Sequence, residues 1–168
     1  MQHQIHPRLA LYQPDIAQNT GSMLRMAACL GVAVDIILPA GFDLSDKALK
    51  RAGLDYLDHV DITRHADWTA FYDFTRREQR RIVLATARGH VPHYKFPFER
   101  SDIVLMGRES AGVPEGVRSM TGGEVVVPLR PGLRSLNVAV AAGMVLAEAL
   151  RQTSAFPEAG FTDNGSSG

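Results

Sequence analysis

Apolar runs of strand length alternate along this chain with segments whose apolar residues recur at helical spacing. The run "LALY" (9–12) comes first. A helix over 17–30 follows, with Met23, Leu24, Ala27, Ala28 and Leu30 as its inward stripe, and "VAVDIIL" (32–38) then completes a βαβ unit. The alternation continues through a helix at 45–53, a short strand at 59–63, a helix at 67–79 with Asp67 as its cap, and a strand at 81–86. After a loop rich in proline and aromatic residues (87–98), the pattern predicts strands at 102–106 and 124–129. A short helix lies between them, and a long helix runs from about Ser135 to Gln152. The strands are continuously apolar rather than alternating, as in strands of a parallel sheet that are buried on both faces. A doubly wound α/β domain with a mainly parallel sheet is the expectation. Such sheets bind ligands outside the carboxyl ends of their strands, so the loops after strands are where chemistry is to be sought.

Length and charge narrow the picture. The chain has 168 residues, enough for one well-buried domain, and the expected division is a single domain over 1–153 with a small, polar, turn-rich tail over 154–168. Its formal net charge is zero, so no global field draws in nucleic acid or membrane, and such a partner must be met by a local patch. One cysteine, Cys29, excludes an intrachain disulfide and a cysteine-based zinc site. His90 and His93 share a loop that offers no carboxylate or thiol beside them, so no metal is expected. The N-terminus does not resemble a signal peptide and no apolar run is long enough to span a bilayer, so a cytoplasmic protein without a membrane partner is expected.

Three loops carry candidate chemistry. In "NTGSMLR" (19–25), Asn19 through Ser22 crowd a helix start, and Arg25 lies off the apolar stripe. It is either a solvated surface arginine or a guanidinium that reaches a phosphate or carboxylate. In "GRESAGVPEG" (107–116), Gly107 directly after a strand permits close backbone approach. Glu109 is either an acceptor for a substrate hydroxyl or a residue that meets a helix dipole. The glycine spacing there fits neither a dinucleotide fingerprint nor a phosphate-cradling Walker loop. In "VVVPLRPGLRSLNVAVAAG" (125–143), Ser135 or Asn137 caps a helix with no polar side before Glu148. A helix apolar all round needs cover on every side. Ala139, Gly143 and Ala147 leave a smooth face for another helix, from which a homodimer interface is expected.

Together and in this order, "NTGSMLR", "VLMGRESAGVP" and "VVVPLRPGLRSLNVAVAAG" resemble the three motifs of the SPOUT class of RNA methyltransferases. The segment "KALKRAGLDYLDHVDITRHADWTAF" further resembles the subfamily that methylates the ribose 2′-oxygen of the wobble nucleotide, cytidine or uridine 34, of leucine tRNAs. The likeness runs from Leu9 to about Gln152. It implies a C-terminal trefoil knot, an exception to the rule that chains do not thread themselves. It also implies S-adenosylmethionine as cofactor and a homodimer with its active site at the interface. By position, Ala85, Thr86, Gly107, Val127, Leu129 and Ser135 correspond to cofactor-binding places. Asn19, Arg25, Glu109, Ser135 and Asn137 correspond to the polar positions around the reacting ribose. Lys47, Lys50, Arg51, Arg130 and Arg134 are the local cations available to a tRNA anticodon stem-loop.

One position departs from the family pattern: the best-known members read Gly-Pro-Glu in the second motif, whereas Arg108 stands between Gly107 and Glu109 here. Alternatives to this activity are 2′-O-methylation at another tRNA or rRNA site, a dimeric RNA-binding α/β protein without catalysis, and a flavodoxin-like or NAD-binding domain.

Overall fold

The computed structural model describes residues 4–51 and 55–159. Six strands form one sheet: β1 (Arg8–Tyr12), β2 (Val34–Ile37), β3 (Ile62–His65), β4 (Arg81–Ala85), β5 (Asp102–Met106) and β6 (Gly123–Val125). Their order is β3-β2-β1-β5-β4-β6, and every pairing is parallel. The helices are α1 (Ala17–Leu30), α2 (Asp46–Arg51), α3 (Trp68–Arg77), α4 (Glu115–Arg118) and α5 (Val138–Thr153).

The twofold period of a strand divides the apolar residues between two layers. Leu9, Leu11, Val34, Ile36, Val104 and Met106 face α1 and α5, where they meet Leu24, Ala27, Val145, Leu146 and Leu150. Ala10, Tyr12, Ile37, Ile103 and Leu105 face the other way, onto Phe71 of α3 and Val117 of α4. Continuous apolar strands are needed because both faces are covered. Asp67 caps α3 by accepting from the Ala70 N–H at 2.8 Å, as its position predicts.

Several boundaries move. The third strand lies at 62–65 and not 59–63, because Leu57–His59 form a 3-10 turn and His65 is drawn in to bond the buried Asp35 at 2.8 Å. The last strand stops at Val125. Beyond it Val126 leaves the sheet, donating to Val91 O and accepting from His93 N–H, each at 2.9 Å, so that it pairs with the loop after β4. That loop wraps closely over β6, where a Cβ on Gly89 would fall 2.8 Å from Val125 O. The final helix begins at Val138, and its far end is tied to the same loop, since Gln152 accepts from Phe98 N–H and donates to Phe96 O, both at 2.9 Å. The 87–98 segment is thus tied at one end to Val125 and Val126 and at the other to Gln152 of α5. Of the helix expected at 45–53, residues 52 and 53 lie outside the described residues, as do 160–168 of the expected tail.

Within the row of small residues on α5, Gly143 faces a neighbour in the same chain. A Cβ on Gly143 would lie 3.2 Å from the Met26 sulfur, so the close approach there is made by the chain's own α1. The apolar residues that α5 leaves exposed are Val140 and Met144, one turn apart. No described helix is long and apolar enough to cross a membrane.

Candidate active site

The carboxyl ends of β4, β5 and β6 open into a cavity of about 780 Å³. Its walls are the loop after β4, the loop after β5 and the 126–137 segment. Ala85, Thr86, Gly107, Val127, Leu129 and Ser135 all line it, and so do Asn19, Glu109, Asn137, Arg130 and Arg134. The wall mixes aliphatic side chains such as Leu84, Met106 and Leu136 with these polar groups, a composition suited to a nucleoside carrying a charged tail.

Asn137 joins two of the three loops. It is the N-cap of α5: its Oδ1 accepts from Ala139 N–H at 2.9 Å and from Val140 N–H at 3.4 Å. Its Nδ2 donates to Asn19 Oδ1 at 2.9 Å, across 118 positions of sequence. Of the two cap candidates, Asn137 performs the role and Ser135 stays in the exposed loop. Asn19 is not a cap. It lies in the first turn of α1, whose N-cap is Ile16 with no side-chain bond, and its Oδ1 accepts from Asn137, which orients it.

The second loop is held shut by a reciprocal pair, Arg108 N–H to Gly112 O at 3.0 Å and Gly112 N–H to Arg108 O at 2.9 Å. A Cβ on Gly107 would lie 2.8 Å from Gly112, so this glycine is required for loop closure; the close approach is to the chain itself. Gly112 adopts φ +63°, a conformation that favours glycine. A proline at 108 has no N–H and cannot donate to Gly112 O, although its carbonyl could still accept from Gly112, so Arg108 adds one backbone bond to the closure. Its guanidinium lies 5.8 Å from the centre of the Tyr12 ring, with Nε buried and unpartnered.

Glu109 projects from the same turn. Its Oε2 accepts from the Asp15 N–H at 3.3 Å, and its Oε1 is buried without a partner. Burial, and then the hydrogen bond with the Asp15 side chain, hold its carboxyl above the ordinary glutamate range. Asp15 shifts the opposite way, lowered by its bonds with Glu109 and with the Ser110 hydroxyl. Sequence reasoning passed over Asp15 as a turn residue. Nothing in a single sequence places it beside Glu109, 94 positions away.

Arg25 stands apart. It does not line the large cavity but a second one of about 440 Å³, between α1, α2 and the 3-10 turn, together with Gln18, Ser22, Phe42 and Tyr56. Its guanidinium lies over the Tyr56 ring at 4.6 Å, and Nη2 donates to the Tyr56 hydroxyl at 3.4 Å. Lys47, Lys50 and Arg51 are exposed on α2 near this second cavity and away from the first. Among the described residues Lys50 makes a long contact, 3.8 Å, to exposed Asp58. The basic residues at the large cavity that sequence reasoning had not assigned are Arg88 and Arg108. Among the described residues no group of His, Cys, Asp and Glu side chains is arranged to hold a metal ion.

Residues 6–147 match the model of the SpoU rRNA Methylase family. A tRNA (cytidine(34)-2'-O)-methyltransferase from Ancylobacter novellus is 55% identical over 152 residues, covering 90% of this chain and 96% of the relative. A solved structure described as giving structural insights into the 2-OH methylation of C/U34 on tRNA superimposes with a TM-score of 0.81 at 42% identity, over 89% of this chain and 97% of that one. An AdoMet-bound rRNA methyltransferase from Sinorhizobium meliloti superimposes with a TM-score of 0.76 at 25% identity, over 89% of this chain and 57% of that one. With its six-stranded all-parallel sheet and these neighbours, the chain has the α/β fold with a trefoil knot of the SpoU methyltransferases. Motif order, sheet topology and the polar cavity agree, and the chain belongs to the SpoU methylase family.

Proposed function

We propose that this protein transfers a methyl group from S-adenosylmethionine to the ribose 2′-oxygen of the wobble nucleotide, cytidine or modified uridine 34, of leucine tRNAs. The observation that carries the reading is the Asn19–Asn137 bond on the wall of the large cavity. It brings the first and third motif loops together beside Glu109 of the second. The names of the relatives supply the reaction, and the leucine isoacceptors rest on the resemblance of the segment from Lys47 to Phe71.

The cavity fits the cofactor by volume and by wall chemistry, with Ala85, Thr86, Gly107, Val127, Leu129 and Ser135 as the residues that would hold it. When bound, S-adenosylmethionine supplies an electrophilic methyl group on a sulfonium, and its loss leaves a neutral thioether. The protein's task is to place the ribose hydroxyl in line and help its proton leave. Asn19, oriented by Asn137, has an amide NH2 to offer as a donor, and Glu109 is the carboxyl on that wall. Arg25 is unsuited to act as a base because a guanidinium stays protonated in proteins; it positions a phosphate or stabilises developing negative charge on oxygen. No metal is required, because the leaving group is neutral.

Within one protomer Arg25 and the large cavity belong to different walls. A homodimer with the active site at its interface reconciles them, and the exposed Val140 and Met144 on α5 offer apolar surface for it. Arg130 and Arg134 at one cavity and Lys47, Lys50 and Arg51 near the other would grip the anticodon stem-loop from two sides. Binding should therefore weaken steeply with salt.

The test is transfer of a tritiated methyl group to tRNA lacking this modification, followed by mapping of the labelled nucleotide. Label on the 2′-oxygen of nucleotide 34 in leucine tRNAs is expected. Label at another nucleotide, on a base, or in rRNA would replace the substrate. No transfer, with RNA still bound, would favour a non-catalytic RNA-binding protein.

A further inference from the structure

Two buried carboxyl oxygens beside the cavity have no partner among the groups ordinarily able to donate: Asp15 Oδ1 and Glu109 Oε1. Unpaired buried oxygens are costly, and two carboxylates side by side also repel. Both penalties vanish together if the two side chains bond to each other through one retained proton. The rest of the geometry supports such a unit. The Asp15 N–H donates to Glu109 Oε2 at 3.3 Å, and the Ser110 hydroxyl donates to Asp15 Oδ2. The Asp15 loop is itself held in place, because Gly41 packs so closely that a Cβ there would lie 3.0 Å from the Asp15 Cα.

We propose that Asp15 is a positioning residue of the methyl-transfer site: its backbone N–H and its side chain hold the Glu109 carboxyl at the cavity wall, and the two carboxyls keep a single proton between them. The inference rests on the methyl-transfer reading above and adds to it the acceptor for the ribose proton. Above its raised titration range the pair releases its shared proton to solvent, and it can then take the ribose proton on Glu109 as the ribose oxygen uses a lone pair to bond the methyl carbon. The electrons of the broken carbon–sulfur bond remain on sulfur. The proton then lies between Glu109 and Asp15 and leaves to solvent on the exposed Ser110 side, restoring the pair.

Asp15 also makes Glu109 the stronger base. Burial, and next the bond to Asp15, raise the Glu109 carboxyl, and a base is most effective when its proton affinity is matched to the working pH. The other charged or titratable groups around the pair are Tyr12 at the end of β1, Arg108 on the same loop, and Arg88, Arg130 and Arg134 on the shared cavity wall. The hydrogen bonds that hold the two carboxyls run between Asp15, Glu109 and Ser110.

Carbon-13 NMR titration of the cofactor-free protein reads the pair directly. Wild type should show two coupled carboxyl titrations, one above the usual range, and Asp15→Asn should bring Glu109 back down. In the same variant kcat should fall about 10-fold at the plateau, consistent with a weaker base, while the acid limb of the pH–rate profile moves to lower pH. Affinity for S-adenosylmethionine by calorimetry should be unchanged, and Asp15→Glu should restore most of both effects. A structural role alone would lower thermal stability and leave the acid limb where it was. If Asp15→Asn does not fold, Glu109→Ala reads the pair from the other side, with Asp15 returning towards the ordinary aspartate range. An active enzyme whose Glu109 titrates identically with and without Asp15 overturns the positioning role alone. Coupled titration in a protein that methylates no RNA overturns the functional reading, and the role with it.

Discussion

The two ends of the sheet treat charge in opposite ways. At the amino ends of the strands, buried charges are matched. Arg8 reaches Asp35 with Nε at 2.8 Å and Nη2 at 3.1 Å, and His65, the last residue of β3, reaches back to Asp35 Oδ1 at 2.8 Å. Arg81 binds Asp102 through two bonds, at 2.7 and 2.8 Å, and the Glu99 N–H adds a third at 2.7 Å. At the carboxyl ends, Arg108 Nε, Glu109 Oε1 and Asp15 Oδ1 are buried with no conventional partner, and Arg130 and Arg134 project from an exposed loop. Matched charges brace the strands against each other; at the opposite end the two carboxyls are left to one another, and Arg108, Arg130 and Arg134 keep bonding capacity for a ligand. The cavity lies at the end where that capacity is kept.

The contrast can be broken from its stable side first. Asp102 is fully buried, so Asp102→Ala strands Arg81 and the Glu99 N–H, and about 4 kcal/mol of unfolding free energy should disappear in urea denaturation. Loss of less than about 1 kcal/mol would show that this end is no more tightly bound than a surface pair. Arg25→Ala is the counterpart at a charge the fold does not need, on the second cavity over Tyr56. Stability and cofactor affinity should stay close to wild type while methyl transfer falls about 10²-fold, and unaltered turnover would remove Arg25 from the reaction. Asn137→Ala lies between the two kinds of residue, because Asn137 both caps α5 and orients Asn19. It should cost about 1 kcal/mol in thermal or chemical unfolding and also lower the transfer rate.

The smallest effect concerns a matched pair near solvent. Glu148 is bound by Arg151 and Gln152, and the Arg151 hydrogen bond is the main reason that its carboxyl is pushed down to about 2. A lowered folded-state value means that its contribution is present above the unfolded value, near 4.3, and is lost as pH falls towards 2. Arg151 is largely exposed, so Glu148→Gln should change stability at neutral pH by less than about 1 kcal/mol, with the difference from wild type vanishing in acid.

Much of this was legible in the residues themselves. Continuous apolar strands announced the two-sided parallel sheet, the bounds of α1 were read correctly, and Asp67 was recognised as a cap from its place before a helical period. The motif loops identified the residues of the large cavity because each loop is local and the resemblance supplied their order. Other features were hidden because they depend on partners far apart in sequence. The shift of β3 follows from His65 meeting Asp35, and the early end of β6 from Val126 pairing with the loop at 91–93. The small residues of α5 suggested a partner subunit, whereas Gly143 is in fact filled by Met26 of the same chain.

Periodicity and turn chemistry act over a few residues, so sequence determined which segments are strands and helices, which faces are buried and which loops carry polar groups. Tertiary structure decided how those groups meet. It joined Asn19 to Asn137, set Asp15 against Glu109, and put Arg25 over Tyr56 on a separate wall. The physical reason is that hydrogen bonding to buried carboxyls, and the desolvation that shifts them, arise only once the chain has brought distant residues within about 3 Å of one another, which no local pattern encodes.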